Sequence, residues 1–171
     1  MNQLSADAIS RDKDKGWVIE AGKRLVTFRL KTFQSFENRL VSLVGDGLGQ
    51  VILYQMGNEI GHVALDYSRE AIKPESDLGS VLDSIISTRG WGRCGGFEKK
   101  TRDGKIAYTI RFTGTPSSHE RTSAKPTCHI ELGIASGFLE AYLGKKAQSH
   151  SELNCVSAGS QFCIFETVFN P

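Results

Sequence analysis

Long apolar runs are missing from this chain: nothing in it approaches the ~20 consecutive apolar residues that a membrane span requires. The first fifteen residues, Met1 to Lys15, are polar and charged, with no apolar stretch and no small-residue cleavage site that could make a secretory signal. A soluble, cytoplasmic protein is expected. Cysteine is scarce too, with four in all; in a reducing compartment those four are better metal ligands or buried hydrophobes than two disulfides. Charge of one sign is not in excess. Lys and Arg number 21 against 19 Asp and Glu, for a net +2, and they are scattered, so no basic face is offered and nucleic acid is not expected as a direct partner. The chain also lacks a dinucleotide fingerprint, because Gly45-Asp46-Gly47-Leu48-Gly49 is followed by Gln50 where the third glycine of G-x-G-x-x-G would fall. That cluster reads as a helix-breaking turn. His62, Asp66, Ser118 and His119 carry no nucleophile-elbow spacing.

What is present is enough for one domain: 171 residues, 39% of them apolar, bury a single core. Residues 1–15 are expected to form a flexible N-terminal segment and residues 16–171 the domain. Trp17-Val18-Ile19 and Leu25 to Leu30 flank a short turn, Glu20 to Lys23, and predict a hairpin. Phe33, Phe36, Leu40, Leu43 and Val44 follow at helical spacing, and a second helix carries Leu48, Val51, Ile52 and Met56. Beyond Pro74, the spacing of Leu78, Val81, Leu82, Ile85 and Ile86 predicts a third helix closed by Gly90. The period then drops to two. Ile106, Tyr108, Ile110 and Phe112 alternate with polar or small residues, and Asp103-Gly104 turns this strand back on the run from Trp91 to Lys99. The stretch from Gly114 to Thr127 has no large hydrophobe to anchor it and is expected to be a long mobile loop, a candidate lid. Cys128 to Tyr142 is helical, with Gly133, Gly137 and Ala141 placed to let the helix lie close on a sheet. Two last strands, about 147–155 and 161–169, flank the turn Val156 to Ser160. The expected class is α+β, an antiparallel sheet covered by helices mainly on one face.

Glu152-Leu153-Asn154-Cys155 and then Cys163 place a carboxylate and two thiols around one turn, while Cys128 opens the preceding helix. Zinc takes sulfur and carboxylate oxygen in tetrahedral geometry, and four protein ligands are the signature of a structural site. The pattern is no doubled CxxC, so spacing alone leaves open that these cysteines are small buried hydrophobes. The imbalance of about −2 around such a zinc would need cations or donors nearby. Lys125, His129, Lys145, Lys146 and His150 are close in sequence. Cys94 stands apart, a plain thiol.

The run Pro126 to Gly133, then Gly137 and Gly144, then Glu152-x-x-Cys155 and Cys163-x-Phe165, resembles the 4-vinyl reductase domain family. That family includes the sensor half of phenol- and xylene-responsive transcription activators, bacteriochlorophyll-synthesis proteins and, more distantly, subunits of the TRAPP vesicle-tethering complex. The likeness to the activators' sensor region extends over Gly16 to Leu30, Phe36 to Gly45 and Gly57-Asn58-Glu59-Ile60-Gly61, so it covers nearly the whole chain. It implies a zinc held by Cys128, Glu152, Cys155 and Cys163, and a pocket between helices and sheet for an apolar or aromatic guest. The activators' phenol-selecting His and Trp fall at Ile86 and Phe112 here, so a pocket lined by Ile86, Trp91, Tyr108, Ile110 and Phe112 would accept flat apolar matter without selecting a phenol hydroxyl. The resemblance thus implies a zinc-containing, homodimeric binding protein for a hydrophobic or tetrapyrrole-like molecule. Two rival expectations stand beside it: a vinyl-reducing enzyme or subunit of (bacterio)chlorophyll synthesis, and hence of photosynthesis, or an assembly component like the TRAPP subunits.

Overall fold

A computed structural model describes residues 9–20, 23–66, 68, 72 and 75–171. Three short strands come first, β1 (Ile9–Asp12), β2 (Trp17–Glu20) and β3 (Lys23–Leu25), paired antiparallel in that order. The expected hairpin is present as β2 and β3, and its turn at 21–22 lies outside the described residues. Two expectations change here. Ile9–Asp12, placed within a flexible segment, pairs with Trp17–Glu20. The second hairpin strand stops at Leu25 instead of running to Leu30, because Leu30 already starts helix α1 (Leu30–Val44).

Helix α2 (Asp46–Asp66) follows α1 directly. The glycine cluster predicted to break the two helices does so. Gly45, at φ 83°, caps α1 by donating its N–H to the Val41 carbonyl, and a β-carbon at Gly49 would lie 2.9 Å from the Val41 side chain. Helix α3 (Leu78–Thr88) buries Leu78, Val81, Leu82, Ile85 and Ile86, the stripe read from the sequence.

The second sheet is antiparallel, in the order β4-β5-β7-β6, with β4 spanning Arg93–Arg102, β5 Lys105–Thr113, β6 Ser149–Asn154 and β7 Cys163–Phe169. Asp103 and Gly104, at φ 50° and 75°, make the two-residue β4–β5 turn, where both positions need a left-handed backbone. Phe112 pairs with Cys163, Ile110 with Phe165 and Tyr108 with Thr167, so their side chains share one face. All six are buried. Rings on that face meet edge to face: Phe112 on Phe165 at 5.2 Å and Tyr108 on Phe169 at 6.0 Å between centroids.

Helix α4 (His129–Leu143) is buried on every side from Ile130 to Glu140. Toward the sheet, Ser136 bonds Thr167 of β7 at 2.9 Å. Gly133 and Gly137, read from the sequence as sheet-facing, instead meet α2. A methyl at Gly133 would run into the Tyr54 carbonyl, and one at Gly137 into that of Asn58. Reciprocally, methyls at Gly57 and Gly61 of α2 would strike the carbonyls of Ile130 and Ile134. Small residues four apart on both helices bring the two backbones into direct contact. The α+β class with helices over an antiparallel sheet is as expected.

Gly137→Ala should therefore destabilise by about 3 kcal/mol or more, since neither backbone can yield locally. Gly47→Ala, in the first turn of α2 with open space around it, should be neutral or gain about 0.5–1 kcal/mol. Chemical denaturation of both variants checks the pair, and equal stabilities would refute the contact.

Candidate metal centre

Four side chains from four places in the chain converge at the start of α4. Cys128 is the residue just before the helix, Glu152 lies near the end of β6, Cys155 opens the 3-10 turn Val156–Ala158, and Cys163 begins β7. One ligand atom from each lies within 4.8 Å of every other, and together they could hold a metal ion. Cys128 Sγ is 3.8 Å from Cys155 Sγ and 3.4 Å from Cys163 Sγ. Sulfurs at ~2.3 Å from a tetrahedral metal stand about 3.8 Å apart, so the Cys128–Cys155 spacing matches such an ion, and Cys163 would need to move only slightly outward.

Glu152 faces two ways. Its Oε2 accepts the Cys128 N–H at 2.9 Å, placing a carboxylate at the positive end of α4. Its Oε1 is buried and finds no hydrogen-bond partner among the described residues, a costly arrangement unless a cation takes that oxygen. Burial, and then the neighbouring Cys155, push this carboxyl up to about 9. Cys128 is raised by its sulfur neighbours and by burial, whereas Cys155, hydrogen-bonded by Cys128 and Cys163, falls well below the usual thiol range. A bound dication would let all four ionise.

The donors that surround the sulfurs are hydroxyls, not the lysines and histidines near in sequence. Thr115 Oγ1 is 3.4 Å from Cys128 Sγ and 3.5 Å from Cys163 Sγ. Ser157 Oγ is 3.0 Å from Cys155 Sγ, Thr127 Oγ1 is 3.7 Å from the same sulfur, and the Val156 N–H donates to Cys163 Sγ at 3.4 Å. Lys146 instead bonds Glu140 at 2.8 Å, and His150 stacks on Tyr54 with centroids 3.8 Å apart. The signal overlooked in the sequence is the density of Ser and Thr between Thr113 and Thr127.

That segment is not the mobile loop expected. Thr115, Ser117 and Ser118 are buried. Ser117 donates its N–H to Glu131 at 2.9 Å and its hydroxyl to Glu37 at 2.5 Å. Gln34 of α1 donates to the carbonyls of Pro116 and His119, and Arg121 pairs with Glu37 at 2.9 Å. The loop is tied by polar groups to α1, α4 and the sulfurs at once, and the lid reading falls with its mobility.

The proposed pocket residues occupy the core. Ile86, Tyr108, Ile110 and Phe112 are no more than 1% exposed, and half-buried Trp91 meets Phe33 of α1 edge to face at 5.3 Å. Tyr108 donates to Glu75 at 2.5 Å, and burial followed by that carboxylate drives its phenol far up. Cys94 is half-buried, its thiol raised to about 11 chiefly by burial. His62 bonds Glu140 while Ser118 bonds Thr115, so the imagined hydrolase residues serve separate networks.

With this geometry in hand, comparisons with known proteins give the fold a context. The sequence matches no family model and no curated protein. Among solved structures, the phenol-responsive sensory domain of the transcription activator PoxR, with phenol, superposes with a TM-score of 0.78 at 16% identity, covering 95% of this chain and 85% of its own. A vinyl-4-reductase family protein from Methanocaldococcus jannaschii gives 0.58 at 20% identity over 84% of this chain and 82% of its own. A trafficking protein particle complex subunit 3 from Naegleria fowleri, covalently bound to palmitic acid, gives 0.60 at 15% identity over 81% and 90%. The fold is thus the one shared by 4-vinyl reductase domains, phenol sensors and TRAPP subunits. Those are the relatives to which the sequence motifs pointed.

Glu131, fully buried in the first turn of α4, has its carboxyl pushed up to about 7, mainly by burial. The unfolded chain releases that proton near 4.5, so the unfolded state binds fewer protons between these values and stability falls as pH rises from about 4.5 to 7. Glu131→Gln should remove the loss, raising the melting temperature at pH 8 while leaving it nearly unchanged at pH 4.5. Melting curves at the two pH values check this, and the recovered stability is about 3 kcal/mol.

Proposed function

We propose that this protein is a zinc-stabilised binding domain for a hydrophobic or tetrapyrrole-like small molecule, acting as a carrier, sensor or assembly factor and performing no chemistry of its own. The observation that carries the metal assignment is the donor set itself, three sulfurs and one carboxylate oxygen all within 4.8 Å of one another, with a buried Glu152 oxygen that lacks a hydrogen-bond partner among the described residues. That set suits a borderline-soft ion such as zinc better than magnesium or calcium. Bound there, zinc would join α4 to β6 and β7.

Support for an apolar guest comes from two proteins of the same fold, one described with phenol and the other with palmitic acid. Ile86, Trp91, Tyr108, Ile110 and Phe112 would form its walls. Admission requires α3 to lift from the sheet or Trp91 to swing from Phe33 of α1, the half-buried edge of the core. A homodimer is supported by the apolar side chains that α1 and α2 leave exposed, Phe36, Leu43, Leu48, Val51 and Met56, together with Val26 and Phe28. Among the described residues no helix is long and apolar enough to cross a membrane.

Elemental analysis of protein purified without chelator should find one zinc per chain, and native mass spectrometry should report metal, guest and subunit count together. Cys155→Ala should cost several kcal/mol and lose the metal. Unchanged melting would sink the structural role. Ile86→Trp should block uptake of an apolar guest while zinc stays bound, and guest affinity that survives this change would move the pocket elsewhere.

A further inference from the structure

The four metal-binding side chains are not equally enclosed. Cys128, Cys155 and Cys163 are no more than 1% exposed, whereas Glu152 is half-buried and lines a cavity of about 250 Å³ together with Gln50, Lys125, Pro126, His129 and Leu132. None of the three cysteines lines it. Gln50, Lys125, Pro126 and His129 also line a second cavity of about 350 Å³ between α1, α2 and the segment before α4, so the two spaces adjoin. Lys125 is exposed, brings the only lysine or arginine charge among the residues lining the first cavity and, among the described residues, has no acidic partner within salt-bridge distance. A carboxylate is also the most weakly held donor in a set with three thiolates around a borderline-soft ion.

We infer that the metal centre has one exchangeable face, at Glu152, and that a small anion reaches it through the Lys125–His129 cavity. Lys125 draws the anion in. The anion takes the coordination position of Glu152, whose carboxylate turns aside and keeps its hydrogen bond to the Cys128 N–H. This is a ligand exchange with no change of oxidation state. The three buried thiolates hold the ion throughout, so the site binds an exogenous ligand without losing its structural role. The adjoining 350 Å³ space brings Glu37 and Asp46 to its walls alongside Arg121, Lys125, Asn38 and Ser42, and those two carboxylates restrict the exchange to a small anion held near Lys125.

This inference rests on the proposed metal site, and cobalt separates the two. Protein loaded with Co(II) should first show a thiolate-to-cobalt charge-transfer band. Its absence would overturn the metal site and the inference together. With the band present, titration with sodium azide at constant ionic strength should shift the visible d–d bands saturably while the charge-transfer intensity persists. Lys125→Ala should weaken the azide dissociation constant about fivefold, the effect of one partly screened charge at short range. Gln50→Trp, which fills the cavity without altering charge, should abolish the shift and leave the charge-transfer band intact. No d–d response to azide, or a response unchanged in both variants, would overturn the open face and leave the metal site standing. Loss of the charge-transfer band on adding azide would show extraction instead of exchange and would likewise overturn it.

Discussion

The backbone contact between α2 and α4 is the constraint on which the rest of the structure depends. Four glycines, two on each helix, bring the two backbones together at the crossing, and the gaps beside them are too tight for a single methyl. The arrangement leaves α4 buried from Ile130 to Glu140, with one face on α2 and Ser136 on β7. Because α4 cannot tilt or slide, both its ends are fixed, and each is closed by a carboxylate. At the C-terminal end Glu140 accepts bonds from Asn58 and His62 of α2 and from Lys146 and the Ala147 N–H leading to β6. Burial raises that carboxyl, but the donors outweigh it and hold it below its usual range. At the N-terminal end Glu152 reaches back from β6 to the Cys128 N–H. The helix is thus clamped between α2 and the sheet before any metal is considered.

The segment from Gly114 to Thr127 extends the same logic without apolar burial. Its hydroxyls point two ways, Thr115 and Ser118 toward the sulfurs and Ser117 toward Glu37 and Glu131. Buried polar groups of this kind are costly when unpaired and rigidifying when satisfied. Two oxygens on that side lack a hydrogen bond among the described residues: Glu37 Oε2, which is met instead by the Arg121 charge at 2.9 Å, and Glu131 Oε2, whose carboxyl is raised by burial. The short links from Cys128 through Thr115 and Ser117 to Glu37 tie the metal ligands to α1, so a change at either end is felt at the other.

How much of this was legible in the sequence follows from which forces leave a pattern. Strands β4 and β5 announced themselves because alternation at Ile106, Tyr108, Ile110 and Phe112 and the Asp103-Gly104 turn are direct consequences of a one-sided sheet and a left-handed turn. The α3 stripe was visible for the same reason, while Cys128, Glu152, Cys155 and Cys163 were singled out by the family resemblance, since spacing alone left buried thiols as an alternative, and the structure brings the four together. The mobility of Gly114–Thr127 was misread because hydropathy registers apolar anchors and is blind to hydroxyls paired with sulfur and carboxylate. Gly133 and Gly137 marked a close approach correctly but not its partner, since small residues four apart serve a sheet or a helix equally well, and only the matching pair at Gly57 and Gly61 decides between them. The strand expected to continue to Leu30 ended at Leu25: Val26 and Phe28 are 72% and 58% exposed, and among the described residues no strand pairs with them. Strand β1 escaped notice because Ile9 to Asp12 is mostly polar, and its pairing rests on backbone hydrogen bonds that sequence pattern does not display.

The proposed guest pocket and the metal centre make opposite demands on the same scaffold. Ile86, Tyr108, Ile110 and Phe112 form a filled core, and a core at native density accepts a guest only by opening, at the cost of the contacts it already has. The sheet that carries Phe112 also carries Cys163 directly across from it, so opening on the side of the metal ligands would strain the thiolate spacing. The far side offers less resistance. There α1 touches the core through Phe33, and the ring it meets, Trp91, lies just beyond α3, outside both the sheet and the metal network. A guest admitted there by moving α3 and Trp91, with α1 held in place through Glu37 and Ser117, would leave β7 and its cysteine unmoved. On this geometry the cluster of Cys128, Glu152, Cys155 and Cys163 marks the tightly held end of the domain, and the Phe33–Trp91 edge the end that can yield.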